Sequence, residues 1–253
     1  MRYILKPFQF IYCIYAMISF VLIMLVLFPF AIIASFFGRI KGGNMMMRLC
    51  MVWADIWFFL IFIWQKKIYE APHDKRRSYI FLSNHISYLD AAILPKAYRQ
   101  PIRPLGKVEM SKIPVFGFIY RKAIVTVDRS SANNRANSVR VLRSLLNKGI
   151  SVMVFPEGTF NMGTTPLKEF YDGAFRLAVE TQTPIKPVLF LDAYRRMPYV
   201  NFFSMTPGRS RIVYLNEIPV TGYSVADVGR LKNEVYTIME KKLIDYDAAW
   251  RKE

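Results

Sequence analysis

An uncharged apolar run near the start of the chain constrains the fold more than any other feature of the sequence. No charged residue occurs from Pro7 to Gly38, and a helix needs about 20 apolar residues to cross the hydrocarbon core of a bilayer. A cleaved signal peptide is the competing interpretation, since Arg2 and Lys6 precede the run and Ala31 and Ala34 are small. Signal peptides, however, have an apolar core of roughly 7–15 residues. The run therefore predicts a retained membrane segment.

A second apolar stretch, from Asn44 to Gln65, contains two charges, Arg48 and Asp55, which lie on one helical face and so face protein or water. A simple two-span hairpin would place the basic turn Arg39–Lys41 outside the cell, against the positive-inside tendency. A re-entrant or half-buried hairpin is at least as well supported. We assign residues 1–72 to a membrane-embedded helical hairpin and residues 73–253 to a separate domain that faces the cytoplasm.

The charge of the chain favours an anionic lipid surface as its partner. The net charge is +17, yet 53% of the residues are hydrophobic and the mean hydropathy is +0.20. Nucleic-acid binding is disfavoured, because the basic residues are dispersed and the N-terminal third is too apolar. Cys13, Cys50, His73 and His85 are the only cysteines and histidines, and they show no metal-ligand spacing. The sequence therefore predicts neither a disulfide framework nor a metal site.

The rest of the chain alternates short apolar strands with amphipathic helices, which predicts an α/β domain. The predicted strands are Tyr79–Leu82, Ile102–Leu105, Ile124–Val127, Ile150–Phe155, Ile185–Leu191 and Arg211–Leu215. The predicted helices are Leu89–Tyr98, Ala132–Leu146, Gly173–Gln182 and Ser224–Tyr246. In α/β sheets, ligand sites lie beyond the carboxyl ends of the strands. His85, Asp128–Arg129 and Glu157–Thr159 all fall at such ends.

His85 and Asp90 have the spacing of a base and the residue that orients it. A carboxylate about one turn away can hold one imidazole nitrogen while the other takes a proton from an alcohol. The pair has no nucleophile of its own, so it suits a reaction in which the substrate hydroxyl attacks. The competing interpretation is a histidine satisfied in the core, with Asp90 as a helix-start residue.

Four ordered segments give the chain a family resemblance. They are Asn84-His85 with Asp90, Val125 to Arg129, Val154 to Thr159, and Ile185 to Val188. Together they resemble the motifs of the glycerolipid acyltransferases, more narrowly of the bacterial 1-acylglycerol-3-phosphate acyltransferases. The resemblance covers roughly residues 75–220, and the apolar N-terminal helices also fit that family. It implies a mixed sheet flanked by helices, preceded by a membrane-embedded two-helix segment.

The resemblance also implies a reaction and the residues that perform it. His85 is expected to be the general base and Asp90 its orienting partner, in an H-x4-D motif. The deprotonated hydroxyl of the acceptor would attack the thioester of acyl-CoA or acyl-carrier protein, without a bound cofactor or metal, at the bacterial inner membrane. Acceptor binding is implied for Lys107, Arg129, Glu157, Gly158 and Thr159.

Two departures from the family pattern concern the acceptor side. Phe160 stands where the third motif usually has an arginine, and Lys122-Ala123 replaces the leading glycine of the second motif. Lys168 or Arg176 is a candidate to replace the missing charge. We expect lysophosphatidic acid as the acceptor, with phosphatidic acid as the product. The alternatives are a phosphate-free lysolipid such as a lyso-aminolipid, and a non-catalytic membrane lipid-binding protein.

Overall fold

A seven-stranded sheet forms the centre of the protein. The computed structural model describes residues 5–127 and 132–251, and side chains at 7–127, 137–201 and 203–251. The strand order is β1-β7-β6-β2-β5-β3-β4, and all described pairs are parallel except β6 with β7. The strands are β1 (Ile63–Tyr69), β2 (Ile80–Leu82), β3 (Ile102–Lys107), β4 (Val125–Val127), β5 (Ser151–Val154), β6 (Ile185–Phe190) and β7 (Gly208–Tyr214).

Helices cover both faces of this sheet. The α-helices of the described ranges are α1 (Leu5–Ser35), α2 (Gly43–Leu60), α3 (Leu89–Ala97), α4 (Phe116–Ala123), α5 (Ala132–Leu146), α6 (Gly173–Thr181), α7 (Ala193–Arg196) and α8 (Val228–Asp245). A π-helical turn, Gly38–Gly42, joins α1 to α2, and short 3₁₀ turns lie at Val108–Lys112, Phe202–Ser204 and Val225–Asp227. The predicted mixed α/β sheet flanked by helices is confirmed.

The apolar strands bury their side chains on both sides, because successive residues of a strand point to opposite faces. On β2, Phe81 packs into the core under α1, α2 and α3, whereas Ile80 and Leu82 pack into the core under α5, α6 and α8. On β5, Met153 belongs to the first core and Val152 to the second. Continuous apolar runs are what a parallel sheet covered on both faces requires.

Helices α1 and α2 form a closely packed hairpin that rests on the first core. The small residues Ala16 and Ala34 of α1 are fully buried, so the two backbones approach closely. The indole of Trp57 donates to the carbonyl of Ala16 at 2.8 Å, and that of Trp53 donates to the carbonyl of Phe20 at 3.2 Å. Helix α1 is long and apolar enough to cross a membrane by length and composition, from Pro7 to Ser35.

The structure differs from the sequence prediction at the end of the second apolar stretch. Helix α2 ends at Leu60, and residues 63–69 form β1, whereas the sequence indicated a helix as far as Gln65. Phe62 has a φ of 53°, which turns the chain sharply out of the helix. Strand β1 then pairs with β7 over seven residues, a contact distant in sequence that local periodicity does not reveal. The strand lies within the region 1–72 that the sequence analysis assigned to the hairpin.

Candidate active site

His85 lies in the loop between β2 and α3, and its backbone is held on both sides. Its N–H donates to Oε1 of Glu157 at 2.7 Å, and its carbonyl accepts from the N–H of Asn161 at 2.7 Å. Just before it, the amide of Asn84 makes two hydrogen bonds to the backbone of Phe190, at 3.0 Å and 2.8 Å. These contacts fix the loop against the ends of β5 and β6.

Asp90 holds both the imidazole ring and the loop that carries it. Its Oδ2 lies 2.9 Å from Nδ1 of His85 and accepts the N–H groups of Ile86 and Ser87 at 2.8 Å and 2.9 Å. The Asp90 side chain is fully buried, whereas that of His85 is 20% exposed. Because a carboxylate oxygen at Nδ1 requires an N–H there, the lone pair of the ring lies on Nε2. The structure thus brings together the predicted base and its orienting residue.

Aromatic rings enclose the imidazole. The ring of Phe155 stacks on His85 with centroids 4.0 Å apart, and Phe160 contacts it edge-on at 4.3 Å. Phe160 also contacts Tyr88 at 4.8 Å and Tyr199 at 6.5 Å. The residue that departs from the family motif therefore lies against the catalytic candidate itself. Its ring places an apolar surface beside the imidazole, where the family motif has an arginine.

Glu157 is completely buried and both of its oxygens accept backbone N–H groups. Oε1 takes the N–H of His85, and Oε2 takes the N–H of Lys168 at 2.9 Å. Burial raises the pKa of Glu157 to about 8, although the two N–H donors act in the opposite direction. Through its two hydrogen bonds, the Glu157 carboxyl group connects two loops of the site. The acceptor role expected for it stays a prediction.

Three of the remaining predicted acceptor residues, Gly158, Thr159 and Lys107, are within the described part of the chain. Gly158 has a φ of 72°, which a side chain would disfavour, and it forms the turn after β5. The hydroxyl of Thr159 accepts from Nζ of Lys168 at 2.8 Å, so a cation does lie beside the third motif. Lys107 is exposed at the carboxyl end of β3, on the same side of the sheet as the carboxyl ends of the parallel strands β2 and β5. Arg129 lies outside the residues that the structure describes.

Sequence reasoning missed several supporting residues. Asn84 was noted only as part of a motif, and neither Asn161 nor the stacking of Phe155 was anticipated. The one local signal was the amide residue immediately before His85, at the end of a buried strand. Among the described residues, no group of three or more His, Cys, Asp and Glu side chains is placed to hold a metal ion.

Comparison with known proteins identifies the class to which this site belongs. The family model described as Acyltransferase matches residues 65–191. This segment contains β2, β5 and the His85–Asp90 pair, and it makes up half of the chain. The protein therefore belongs to the acyltransferase family and is an acyltransferase enzyme.

Individual relatives share moderate sequence identity. An uncharacterized acyltransferase of Schizosaccharomyces pombe is 28% identical over 68% of this chain, and the match spans 63% of that relative's length. A 1-acyl-sn-glycerol-3-phosphate acyltransferase of Haemophilus influenzae is 26% identical over 71% of this chain and 75% of the relative. The crystal structure of a 1-acyl-sn-glycerophosphate acyltransferase from Thermotoga maritima superposes with a TM-score of 0.72 at 22% identity, covering 100% of both chains. It shares the fold.

Proposed function

We propose that this acyltransferase moves a fatty acyl chain from a thioester donor to the free hydroxyl of lysophosphatidic acid, which gives phosphatidic acid for phospholipid biosynthesis. The observation that carries the proposal is the His85–Asp90 pair, in which the buried carboxylate holds Nδ1 and the imidazole side chain keeps 20% exposure. The names of the bacterial relatives, 1-acyl-sn-glycerol-3-phosphate acyltransferases, support this acceptor. Acyl-CoA or acyl-carrier protein supplies the acyl group.

In the proposed mechanism His85 acts first as a base and then as an acid. Nε2 takes the proton of the acceptor hydroxyl as its oxygen attacks the carbonyl carbon of the thioester. The C–S bond then breaks, and the leaving sulfur receives the proton from the imidazolium. Asp90 keeps the proton on Nδ1 and stabilises the positive charge while it is present. The mechanism needs no covalent acyl-enzyme, and the sequence has no recognised Ser or Cys nucleophile motif.

Two acceptor head groups are considered, each with a structural argument. We propose that Lys168, whose Nζ donates to the hydroxyl of Thr159, contacts a phosphate in place of the missing arginine, and that Arg129 and Lys107 add charge. Against this, Phe160 gives the site an apolar wall next to His85. That observation favours a phosphate-free lysolipid, such as a lyso-aminolipid, as the second candidate.

We propose that the α1–α2 hairpin attaches the enzyme to the cytoplasmic face of a bacterial inner membrane. Most apolar side chains along α1 are exposed, including Phe8 at 69% and Val26 at 69%. Yet α1 contacts the rest of the protein near both ends, through Phe10 with Phe203 and through Phe28 with Phe118. These contacts are about 27 Å apart along the helix. A helix held along the domain in this way favours insertion of its outer face into one leaflet.

The test is acyl transfer by the purified, detergent-solubilised protein with both donors and both acceptors at equal concentration. We expect His85→Ala to abolish transfer with an unchanged unfolding temperature. His73→Ala is the matched control, because His73 is the other histidine of the chain and lies outside this site. This substitution should leave the rate of transfer unchanged. A fully active His85→Ala protein would refute the mechanism. Transfer to neither acceptor would instead favour a lipid-binding protein without catalysis.

The relative rates of transfer to the two acceptors test which head group the site recognises. A strong preference for lysophosphatidic acid would support phosphate recognition by Lys168 or Arg129. Preference for the phosphate-free lysolipid would show that Phe160 marks a changed head-group site. In that case Lys168→Gln should have little effect on the KM of the acceptor, whereas under phosphate recognition the same change should raise this KM about tenfold.

A further inference from the structure

A cavity of about 390 Å³ lies between the α1–α2 turn, the end of α4 and the start of β4. Four cationic side chains line it: Arg39, Arg103, Arg121 and Lys122. The remaining lining residues carry no acidic group. Within the described part of the chain, none of the four forms an ion pair with a carboxylate. Among the described residues, the cavity therefore has a concentrated positive charge that no carboxylate neutralises.

Arg103 is the decisive member, because it is a buried cation. Its residue is 3% exposed, and its described hydrogen bonds go only to carbonyl groups, those of Ile102 at 2.8 Å and Ile40 at 3.2 Å. Burial and the charge of Arg39 lower the pKa of Arg103 to about 10. A buried charge without an opposite charge is strongly unfavourable. An anion in the cavity would remove that cost.

The turn between α1 and α2 is shaped around this guanidinium. A Cβ atom at Gly43 would lie 2.3 Å from Nη2 of Arg103, so a side chain at this position would have to displace the guanidinium. Gly38, at the start of the turn, has a φ of 71°. The guanidinium of Arg103 thus lies close against the backbone of the hairpin at Ile40 and Gly43.

The cavity is separate from the active site. Arg103 pairs in register with Val152, which pairs on its other side with Ile80, five residues before His85. Since neighbouring strands are about 4.8 Å apart, Arg103 lies about 10 Å across the sheet from β2. It also lies nearer the amino ends of the strands, whereas His85 follows a carboxyl end. The proposed acyl transfer does not use these four cations.

The surroundings of the cavity indicate the source of the anion. Arg39 comes just after the end of the apolar outer face of α1. Two of the three residues before it are exposed aromatics: Phe36 is 82% exposed and Phe37 is 53% exposed. Exposed aromatic rings beside basic residues are typical of a membrane interface. We propose that this cavity binds the phosphate of an anionic phospholipid head group, while the acyl chains lie along α1. The inference does not depend on the acyl-transfer reaction.

The experiment measures the unfolding temperature of the full chain in neutral-detergent micelles during titration with phosphatidylglycerol, phosphatidylcholine, coenzyme A or inorganic phosphate. The test variant is Arg39→Gln with Lys122→Gln, both exposed positions. The matched control is Arg76→Gln with Lys241→Gln, which removes the same two charges at exposed sites outside the cavity. We expect phosphatidylglycerol to stabilise the wild type and the control, and to bind the test variant about tenfold more weakly.

Two results would overturn the proposal. One is equal affinity of the test variant and the control for phosphatidylglycerol. The other is a wild-type response to coenzyme A or inorganic phosphate that matches the response to phosphatidylglycerol and is lost in the test variant, since the anion would then be soluble. Response to phosphatidylcholine should be weak and the same in all three proteins.

Discussion

Replacement of Glu157 by glutamine tests how the position of His85 is maintained. Glu157 accepts the N–H of His85 through one oxygen and the N–H of Lys168 through the other, at 2.7 Å and 2.9 Å. A glutamine side chain has one oxygen and one NH₂ group, and the NH₂ group cannot accept. Whichever way it is oriented, one backbone N–H faces another donor.

The size of the effect follows from the burial of Glu157, which is complete. An unsatisfied buried donor costs about 1–3 kcal/mol. If that loss appears in the transition state, it corresponds to roughly a 5- to 150-fold decrease in kcat/KM. The decrease should be in kcat, because a displaced His85 impairs proton transfer more than binding. The same loss should lower the unfolding temperature by several degrees.

The assay is initial-rate acyl transfer at varied acceptor concentration, with the unfolding temperature of each protein measured in the same detergent. Glu169→Gln is the matched control: it makes the same substitution at an exposed position of the neighbouring loop, and both measurements should be unchanged. If Glu157 instead contacts the acceptor directly, the variant will show a raised KM with kcat preserved. That pattern, or full activity, would refute the positioning argument.

Four further predictions follow from the same contacts. Asp90→Asn should lower kcat tenfold or more without a matching rise in KM, because Nδ1 of His85 loses its charged partner. Because burial raises the pKa of Glu157 from 4.5 to about 8, its neutral form is favoured by folding, and its stabilising contribution is complete below pH 4.5 and lost as the pH rises through 8. The unfolding-temperature difference between wild type and Glu157→Gln should shrink over that interval. Phe160→Arg should shift the ratio of rates toward lysophosphatidic acid relative to a phosphate-free acceptor. Asn84→Ala should cost about 2–4 kcal/mol in the free energy of unfolding, measured by denaturant titration, because two buried backbone groups of Phe190 lose their partners.

The sequence predicted best those elements that local pattern determines. Helix α5 begins and ends at the predicted residues, Ala132 and Leu146, because its apolar face has a helical period and Gly149 follows it. Strands β2, β5 and β6 were found within one or two residues because they are continuous apolar runs between turn residues. Strand β1 was missed, since its pairing with β7 joins segments more than 140 residues apart.

The same division applies to the active site. The spacing of His85 and Asp90 was enough to predict their contact, because five residues at a strand-to-helix junction bring the two side chains together. The contacts that fix their surroundings come from distant parts of the chain: Glu157 is 72 residues from His85, and Phe190 is 106 residues from Asn84. No local pattern encodes such pairs, so the sequence indicated a base and its orienter but not what holds them.

These distant contacts explain why the site uses several buried polar groups where one pair would define the chemistry. Asp90 orients the ring of His85, whereas Glu157 and Asn161 hold its backbone, and Asn84 fixes the preceding residue to β6. Each polar group costs free energy to bury and regains it only when all partners are in place. The loop is therefore held in one conformation before any substrate binds. In the proposed reaction, a base that is already in position lowers the part of the barrier that comes from orienting the reacting groups.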